Sequence, residues 1–226
     1  MSFKKVAIDG PAGAGKSTIS RAVARELGYV YIDTGAMYRA CALKMLRSEI
    51  DINNEVNSVI KVMSDTVVEI AYSEAGQIVY LDGEDVSSKI RTDEVSKAAS
   101  DIAKIPEVRL KLVDIQRELA SKCSCIMDGR DIGTYVLPDA DVKIFLTASV
   151  EERAKRRYAE LAEKGIQTTP EEVLSDMKKR DANDSTREFA PLKQAEDSVL
   201  VDTTGNSLEK SVELLKNIII NNLNEI

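Results

Sequence analysis

The chain has 226 residues, 31 Lys and Arg against 38 Asp and Glu, and a formal charge of −7. That length suits one compact domain, or one domain with insertions, and the acidic balance excludes a nucleic-acid binder that works by broad positive potential. With no histidine, Ser-His-Asp, Cys-His and imidazole–metal chemistry are excluded, and no apolar run approaches the roughly 18 residues that a membrane span needs.

The first predicted element is a buried strand over Lys5 to Ile8, and the stretch after it organises the chain. Gly10-Pro11-Ala12-Gly13-Ala14-Gly15-Lys16-Ser17-Thr18 fits G-x-x-x-x-G-K-[ST] from Gly10 to Ser17. A strand before the motif and a predicted helix over 16–27 after it supply the context of a phosphate-binding loop. Its glycines turn backbone N–H groups inward around a polyphosphate, and the helix adds its positive end. Lys16 supplies a mobile charge, and Ser17 offers a hydroxyl to a Mg2+ ion bridging the phosphates.

A second strand, Tyr29 to Ile32, runs into Asp33-Thr34-Gly35-Ala36-Met37-Tyr38-Arg39 and a helix over 36–47. About 90 residues then separate it from the next core strand, far more than the dozen or so a crossover requires. Within them Val68, Ile70 and Tyr72 alternate with polar and small residues, Glu74-Ala75-Gly76 turns the chain into Ile78 to Leu81, and Asp82-Gly83 turns it toward Val86. This reads as a small antiparallel meander inserted beside the ligand crevice of a parallel sheet. Helices are predicted over 93–103 and 107–121, with Pro106 between them at a natural helix start.

The third core strand, Cys125 to Met127, ends in Asp128-Gly129-Arg130-Asp131, the hydrophobic-strand-then-aspartate form of a Walker B. Asp128 there either holds Mg2+ through water or orients Ser17. Cys123-x-Cys125 lacks a second pair or a histidine for zinc, so both are read as small residues in a buried strand, and the three cysteines point to a reducing cytoplasm. Strands at Val142 to Leu146 and Val199 to Val201 complete five. Helices over 150–164, 171–184 and 207–222 accompany them, and the apolar run Ile218 to Ile220 reads as core. The stretch from Glu151 to Arg187 is polar and helical, either a solvated pair or a lid over phosphates.

Four groups could carry phosphoryl transfer, which asks for positioning and charge neutralisation. They are Lys16 with Ser17; Asp128; the arginines Arg153, Arg156 and Arg157 on one helix flank; and Arg180, Asp184 and Arg187, spaced four and three apart. An ionised phosphate acceptor needs no strong base, whereas an alcohol would call for one such as Asp33. Rival readings are a kinase of UMP, AMP or shikimate, and a nucleotide-binding module without turnover. A GTPase-type switch is a further rival, because Asp202-Thr203-Thr204-Gly205 matches D-x-x-G. That match follows the last strand, and no Asn-Lys-x-Asp motif accompanies it.

Over practically its whole length the chain resembles the bacterial-type cytidylate kinases, a branch of the nucleoside monophosphate kinases. The resemblance rests on Ile8 to Ser17, Asp33 to Arg39, Asp128-Gly129-Arg130-Asp131-Ile132-Gly133-Thr134, Arg180-Asp181, Asp184-x-x-Arg187 and Ala190-Pro191-Leu192. It implies an α/β P-loop kinase fold: a five-stranded parallel sheet of order 2-3-1-4-5 flanked by helices, with the inserted meander and a helical lid. On that scheme 1–226 form one kinase domain, with a core (1–33, 122–150, 188–226), an acceptor-binding insertion (34–121) and a lid (151–187).

The implied reaction passes the γ-phosphoryl group of ATP to CMP or dCMP with Mg2+; a monomer is the simplest case, and charge and hydropathy predict no nucleic-acid or membrane partner. Arg39 and Arg130 then hold the acceptor phosphate, with Thr34 and Tyr38 nearby, and Ser100, Arg109 and Asp131 read the base. Arg180, Asp184 and Arg187 hold sugar and phosphates, Arg153 and Arg157 belong to the lid, and the 203–206 loop flanks adenine. Cytosine's amine suits a carboxylate that only accepts, and its N3 and O2 suit arginine donors. Thr34 stands where relatives often carry serine, which keeps the hydroxyl; 183–186 is less basic than in some relatives.

Overall fold

The computed structural model describes residues 3–73, 76–163 and 165–224. Along the chain come β1 (Lys5–Asp9), α1 (Lys16–Leu27), β2 (Val30–Asp33), α2 (Thr34–Arg47), α3 (Val56–Asp65), β3 (Val68–Ser73), β4 (Gly76–Leu81) and β5 (Glu84–Asp85). After a 3-10 turn at Lys89–Arg91 follow α4 (Asp93–Ile102), α5 (Pro106–Ala120), β6 (Cys125–Gly129), a π-turn at Ile132–Val136, β7 (Val142–Thr147), α6 (Val150–Glu163), α7 (Pro170–Thr186), β8 (Val199–Asp202) and α8 (Leu208–Asn224). Contacts group them into two compact units, 1–30 with 123–226 and 31–122.

One sheet has the order β2-β6-β1-β7-β8, which is the 2-3-1-4-5 order that the family resemblance implies once the meander strands are set aside. β1 pairs in parallel with β6 and β7, placing Val6 opposite Ile126 and Val142. Val6, Ala7 and Ile8 have no exposed surface, because a central parallel strand is covered on both faces. β1 then ends where the chain turns sharply into the phosphate loop. Gly10 has φ 150° and no room for a side chain.

The second unit carries the antiparallel sheet β3-β4-β5, with Val68 opposite Leu81 and Ile70 opposite Val79. Residues 74 and 75 of the predicted turn lie outside the described residues. α2 starts two residues earlier than its sequence pattern suggests, since the Asp33 carboxylate accepts from Ala36 N at 2.9 Å and caps the helix. α3 is not among the predicted helices. Its buried residues are Val59 and Met63, one turn apart. Val56, Val59, Ile60 and Met63 stand at the i, i+3, i+4, i+7 spacing of an amphipathic helix, a signal present in the sequence that the reading above passed over.

α6 and α7 are not merely solvated charged rods. Ala154 and Leu161 meet Val173 and Met177 in a small apolar seam of their own, flanked by Val150 and Leu174. α7 begins with a capping box, Thr169 and Glu172 each bonding the other's backbone N–H, with Pro170 in its first turn. This start sets which face of α7 carries Asp181 and Asp184; the helix ends at Thr186, and Arg187 follows it in extended backbone rather than continuing that face.

Candidate active site

In the first unit the loop from Gly10 to Ser17 folds around its own lysine. Lys16 Nζ donates to the carbonyls of Gly10 at 2.7 Å and Pro11 at 2.8 Å, and only 6% of the residue is exposed. Burial, then the Arg130 charge, pull its pKa down to about 7 against the pull of Asp128, Asp184 and Asp9. Positive φ at Gly13 (73°) and Gly15 (87°) shapes the loop. Ser17 Oγ donates to Asp128 Oδ2 at 2.8 Å, so the first turn of α1 and the end of β6 present a hydroxyl and a carboxylate side by side.

Arg153 backs this loop. Its side chain is buried and its nitrogens are engaged: Nε donates to Ala148 O at 2.9 Å, Nη1 to Ala12 O at 2.9 Å, and Nη2 lies 2.7 Å from Asp181. Arg157 is paired with Glu160 at 2.8 Å, and Arg156 Nη2 donates to Thr203 O at 3.1 Å. Asp202 of the D-x-x-G match accepts from Thr204 N and Oγ1 at 2.8 and 2.6 Å, a local turn that ties its carboxylate into the loop leading to α8.

Behind β6 lies a set of paired charges. Arg130 Nε donates to Asp184 Oδ2 at 2.7 Å and its Nη1 to Gly129 O at 3.0 Å. Arg187 Nη2 donates to Asp131 Oδ1 at 3.2 Å and Nε to Ala190 O at 2.7 Å. Burial pushes the Asp184 carboxyl upward, but Arg130, then Arg180 and Arg187, outweigh it and hold it below the usual range. Thus Arg130, Asp131, Arg180, Asp184 and Arg187 belong to one electrostatic cluster.

In the second unit Asp33 is buried and pairs with Arg39 at 2.9 Å, with Arg91 at 3.7 Å. Burial would raise its pKa, yet the Arg39 and Arg91 charges and the Ala36 N–H hold it low. A carboxylate so stabilised in its ionised form is a weak general base, so these partners disfavour Asp33 as the base for an alcohol acceptor. Arg109 is 1% exposed; its guanidinium lies 5.5 Å from the Tyr38 ring centroid and donates to Ala103 O at 3.2 Å. Thr34 is buried at the first position of α2, and the Ser100 hydroxyl is buried on α4 with no protein hydrogen-bond partner.

Three residues that the sequence reading leaves without a role also shape these groups. Gln77 clamps the end of β2, accepting from Asp33 N at 2.8 Å and donating to Asp33 O at 3.2 Å. Arg91 adds the second charge on Asp33. Asp9 accepts from Ile132 N and Gly133 N at 2.7 and 2.8 Å. Of these, only Asp9 leaves a trace in sequence, as an ionisable residue at the end of a fully apolar strand.

A profile described as cytidylate kinase matches residues 6–221. The chain belongs to the cytidylate kinase family. It is 56% identical over 208 residues to a cytidylate kinase of Caldicellulosiruptor saccharolyticus, covering 92% of each chain. A cytidylate kinase of Alkaliphilus oremlandii is 50% identical over 223 residues, 97% of this chain and 99% of that one. In structure the chain resembles an uncharacterised protein from Eubacterium ventriosum (TM-score 0.53, 11% identity, 96% and 98% covered). It also resembles a gluconokinase from Sinorhizobium meliloti (TM-score 0.50, 13% identity, 97% and 92% covered). At such identities these likenesses concern the fold. Members of the family are nucleoside monophosphate kinases, and this chain is such a transferase.

Proposed function

We propose that the Gly10–Thr18 loop holds ATP and that the paired arginines and aspartates hold the acceptor. Membership of the family makes the reaction the transfer of the γ-phosphoryl group of ATP to CMP or dCMP, giving ADP and CDP or dCDP. One observation carries the division of labour: Lys16 lies within the electrostatic reach of Arg130, Asp128 and Asp184. A donor-phosphate lysine and an acceptor-phosphate arginine in one field suit two anions meeting in line.

The acceptor oxygen belongs to a phosphate that is already ionised, so positioning and charge neutralisation suffice. Lys16 exchanges the Gly10 and Pro11 carbonyls for phosphate oxygens, and the loop amides take the rest of the polyphosphate. Arg39 and Arg130 hold the acceptor phosphate, with Thr34 and Tyr38 nearby. Asp131 accepts from the cytosine amine, Arg109 donates to the base, and Ser100 adds a hydroxyl. Arg180, Asp184 and Arg187 fix sugar and phosphate. Arg153 and Arg157, in the 151–187 lid, serve the migrating group; Arg153 does so by giving up the Ala12 carbonyl.

The residues present fit a magnesium ion. Ser17 Oγ and Asp128 Oδ2 are hard oxygen donors 2.8 Å apart. Among the described residues no cluster of three or more His, Cys, Asp or Glu could hold a metal unaided. Such a pair suits an ion that takes its remaining ligands from phosphates and water. Bound there, Mg2+ would draw off negative charge from the phosphate oxygens. The reading includes a monomer and a reducing, cytoplasmic setting, which suits three free cysteines. Burial pushes the Cys41 and Cys125 thiols up to about 12. No helix among the described residues is long and apolar enough to cross a membrane.

The test is a coupled ADP-release assay across nucleoside monophosphates. CMP and dCMP are expected to turn over far faster than UMP or AMP; equal turnover with UMP removes the base-reading assignment.

A further inference from the structure

The turn that carries Asp131 is built in an unusual way. β6 ends at Gly129, Arg130 and Asp131 follow, and a single π-turn opens at Ile132. Asp131 occupies the position before that turn, with Tyr135 N and Val136 N donating to its carbonyl at 2.9 and 3.1 Å. An aspartate at this position ordinarily turns its carboxylate onto the N–H two or three residues ahead, here that of Gly133 or Thr134. Here Asp131 makes no such bond. The N–H groups of Ile132 and Gly133 go instead to the two carboxylate oxygens of Asp9, at 2.7 and 2.8 Å, from a strand more than 120 residues away in sequence. Asp9 is 5% exposed, so both bonds are shielded from water.

The consequence reaches the next ion pair. With the Gly133 N–H taken by Asp9, the Asp131 carboxylate lies with Arg187, 3.2 Å from Nη2. The fit around Asp9 is close: a Cβ on Gly133 would stand 3.4 Å from Asp9 Oδ2 and 3.2 Å from Lys143 Cδ. The last residue of the strand leading into the phosphate loop therefore fixes the turn that presents Asp131.

We infer that Asp9 is a specificity-determining positioning residue: by capping the 132–136 turn in place of Asp131, it keeps the Asp131 carboxylate directed at the acceptor base. This rests on the reading that Asp131 recognises cytosine. Without Asp9, the unsatisfied Gly133 N–H recaptures the Asp131 carboxylate, which leaves Arg187 and the base. Asp9 touches no substrate; it acts through Asp131.

The test is the ratio of kcat/KM for CMP to that for UMP in the full chain, measured for wild type, Asp9→Asn, Asp9→Ala, Asp131→Ala and the double variant Asp9→Ala/Asp131→Ala. Both acceptors use the same ATP and the same phosphate loop, so general damage to the loop cancels in the ratio. The ratio is expected to fall about tenfold in Asp9→Ala, the scale of one charge-assisted hydrogen bond partly lost, and less in Asp9→Asn, which retains one acceptor. In the double variant it should fall no further than in Asp131→Ala alone. If Asp131→Ala shifts the ratio and neither Asp9 variant does, the inference fails while the base reading stands. If Asp131→Ala leaves the ratio unchanged, both fail. An additive drop in the double variant also overturns it, since Asp9 would then act by another route. Hydrogen exchange on the unaltered protein is independent of whether the variants fold. Slow exchange at Ile132 and Gly133 supports the cap, and exchange at the unprotected rate overturns it.

Discussion

Arg187 and Asp131 form an ion pair at 3.2 Å whose two side chains are only 4% and 6% exposed. A pair so buried stabilises little relative to an apolar substitute, but breaking it leaves one charge stranded. Arg187→Met is therefore expected to lower unfolding free energy by about 3–5 kcal/mol. Combining it with Asp131→Asn should recover a large part of that loss. Urea unfolding of the two single variants and the double closes the cycle, and additive losses would mean that the pair is not coupled in solution.

Lys16 is held by loop carbonyls in the structure, and its charge matters most where donor phosphates gather negative charge during transfer. Lys16→Ala is expected to lower kcat by about 100- to 1,000-fold, the scale for loss of one preorganised electrostatic donor. KM for CMP should change by no more than a few-fold. Steady-state kinetics with CMP varied at saturating ATP separates the two. A large rise in KM for CMP with kcat intact would move Lys16 to the acceptor side.

How much of this was legible beforehand depends on the range of the interaction. The phosphate loop, the five core strands and the meander are visible because each rests on local pattern: a short apolar run, a fixed glycine spacing, a two-residue alternation. α2 is also visible, but its start is displaced because Asp33 both ends a strand and caps a helix. What escapes is long-range. Nothing near Ile132 reveals a π-turn, since its cap comes from Asp9. Nothing in the charged run 151–187 reveals that Arg153 is buried against Ala12 and Asp181. Spacing places Arg180, Asp184 and Arg187 on one face only if the helix continues; α7 stops at Thr186, and only the folded chain brings Arg187 back to Asp131 and Asp184 to Arg130.

Two glycines with positive φ separate a steric need from a conformational one. A Cβ on Gly10 would stand 1.9 Å from the Leu146 carbonyl oxygen, whereas one on Gly28, at φ 69°, would meet nothing within 4 Å. Gly28→Ala carries only the left-handed backbone penalty, about 1–2 kcal/mol. Gly10→Ala must push β1 and β7 apart, so it should cost more than about 4 kcal/mol, in the range that marks a severe structural defect. Thermal unfolding of both variants checks the order, and comparable melting temperatures would contradict the packing at the end of β1.

Acid stability should show two carboxylates working in opposite senses. Burial raises Asp9 to about 6 against its hydrogen bonds from Gly133 and Ile132, with the Asp131 charge adding to the rise and Lys16 opposing it. A folded-state pKa above the unfolded value means that the native state takes up this proton first. Asp9 therefore contributes stability that grows as pH falls from about 7 toward 4 and is lost as pH rises through 6. Asp184, held low by Arg130, Arg180 and Arg187 despite burial, contributes stability present above about 4 and lost as pH falls below it. Lys16, lowered to about 7, changes stability mainly above neutrality and only slightly within this window. The urea midpoint of the wild type is expected to rise modestly between pH 7 and 5 and then collapse below 4. Asp9→Asn should flatten the rise and keep the collapse, while Asp184→Asn should weaken the collapse. A wild-type midpoint that falls steadily from pH 7 downward, with Asp9→Asn parallel to it, would show that Asp9 carries no proton of its own in that range.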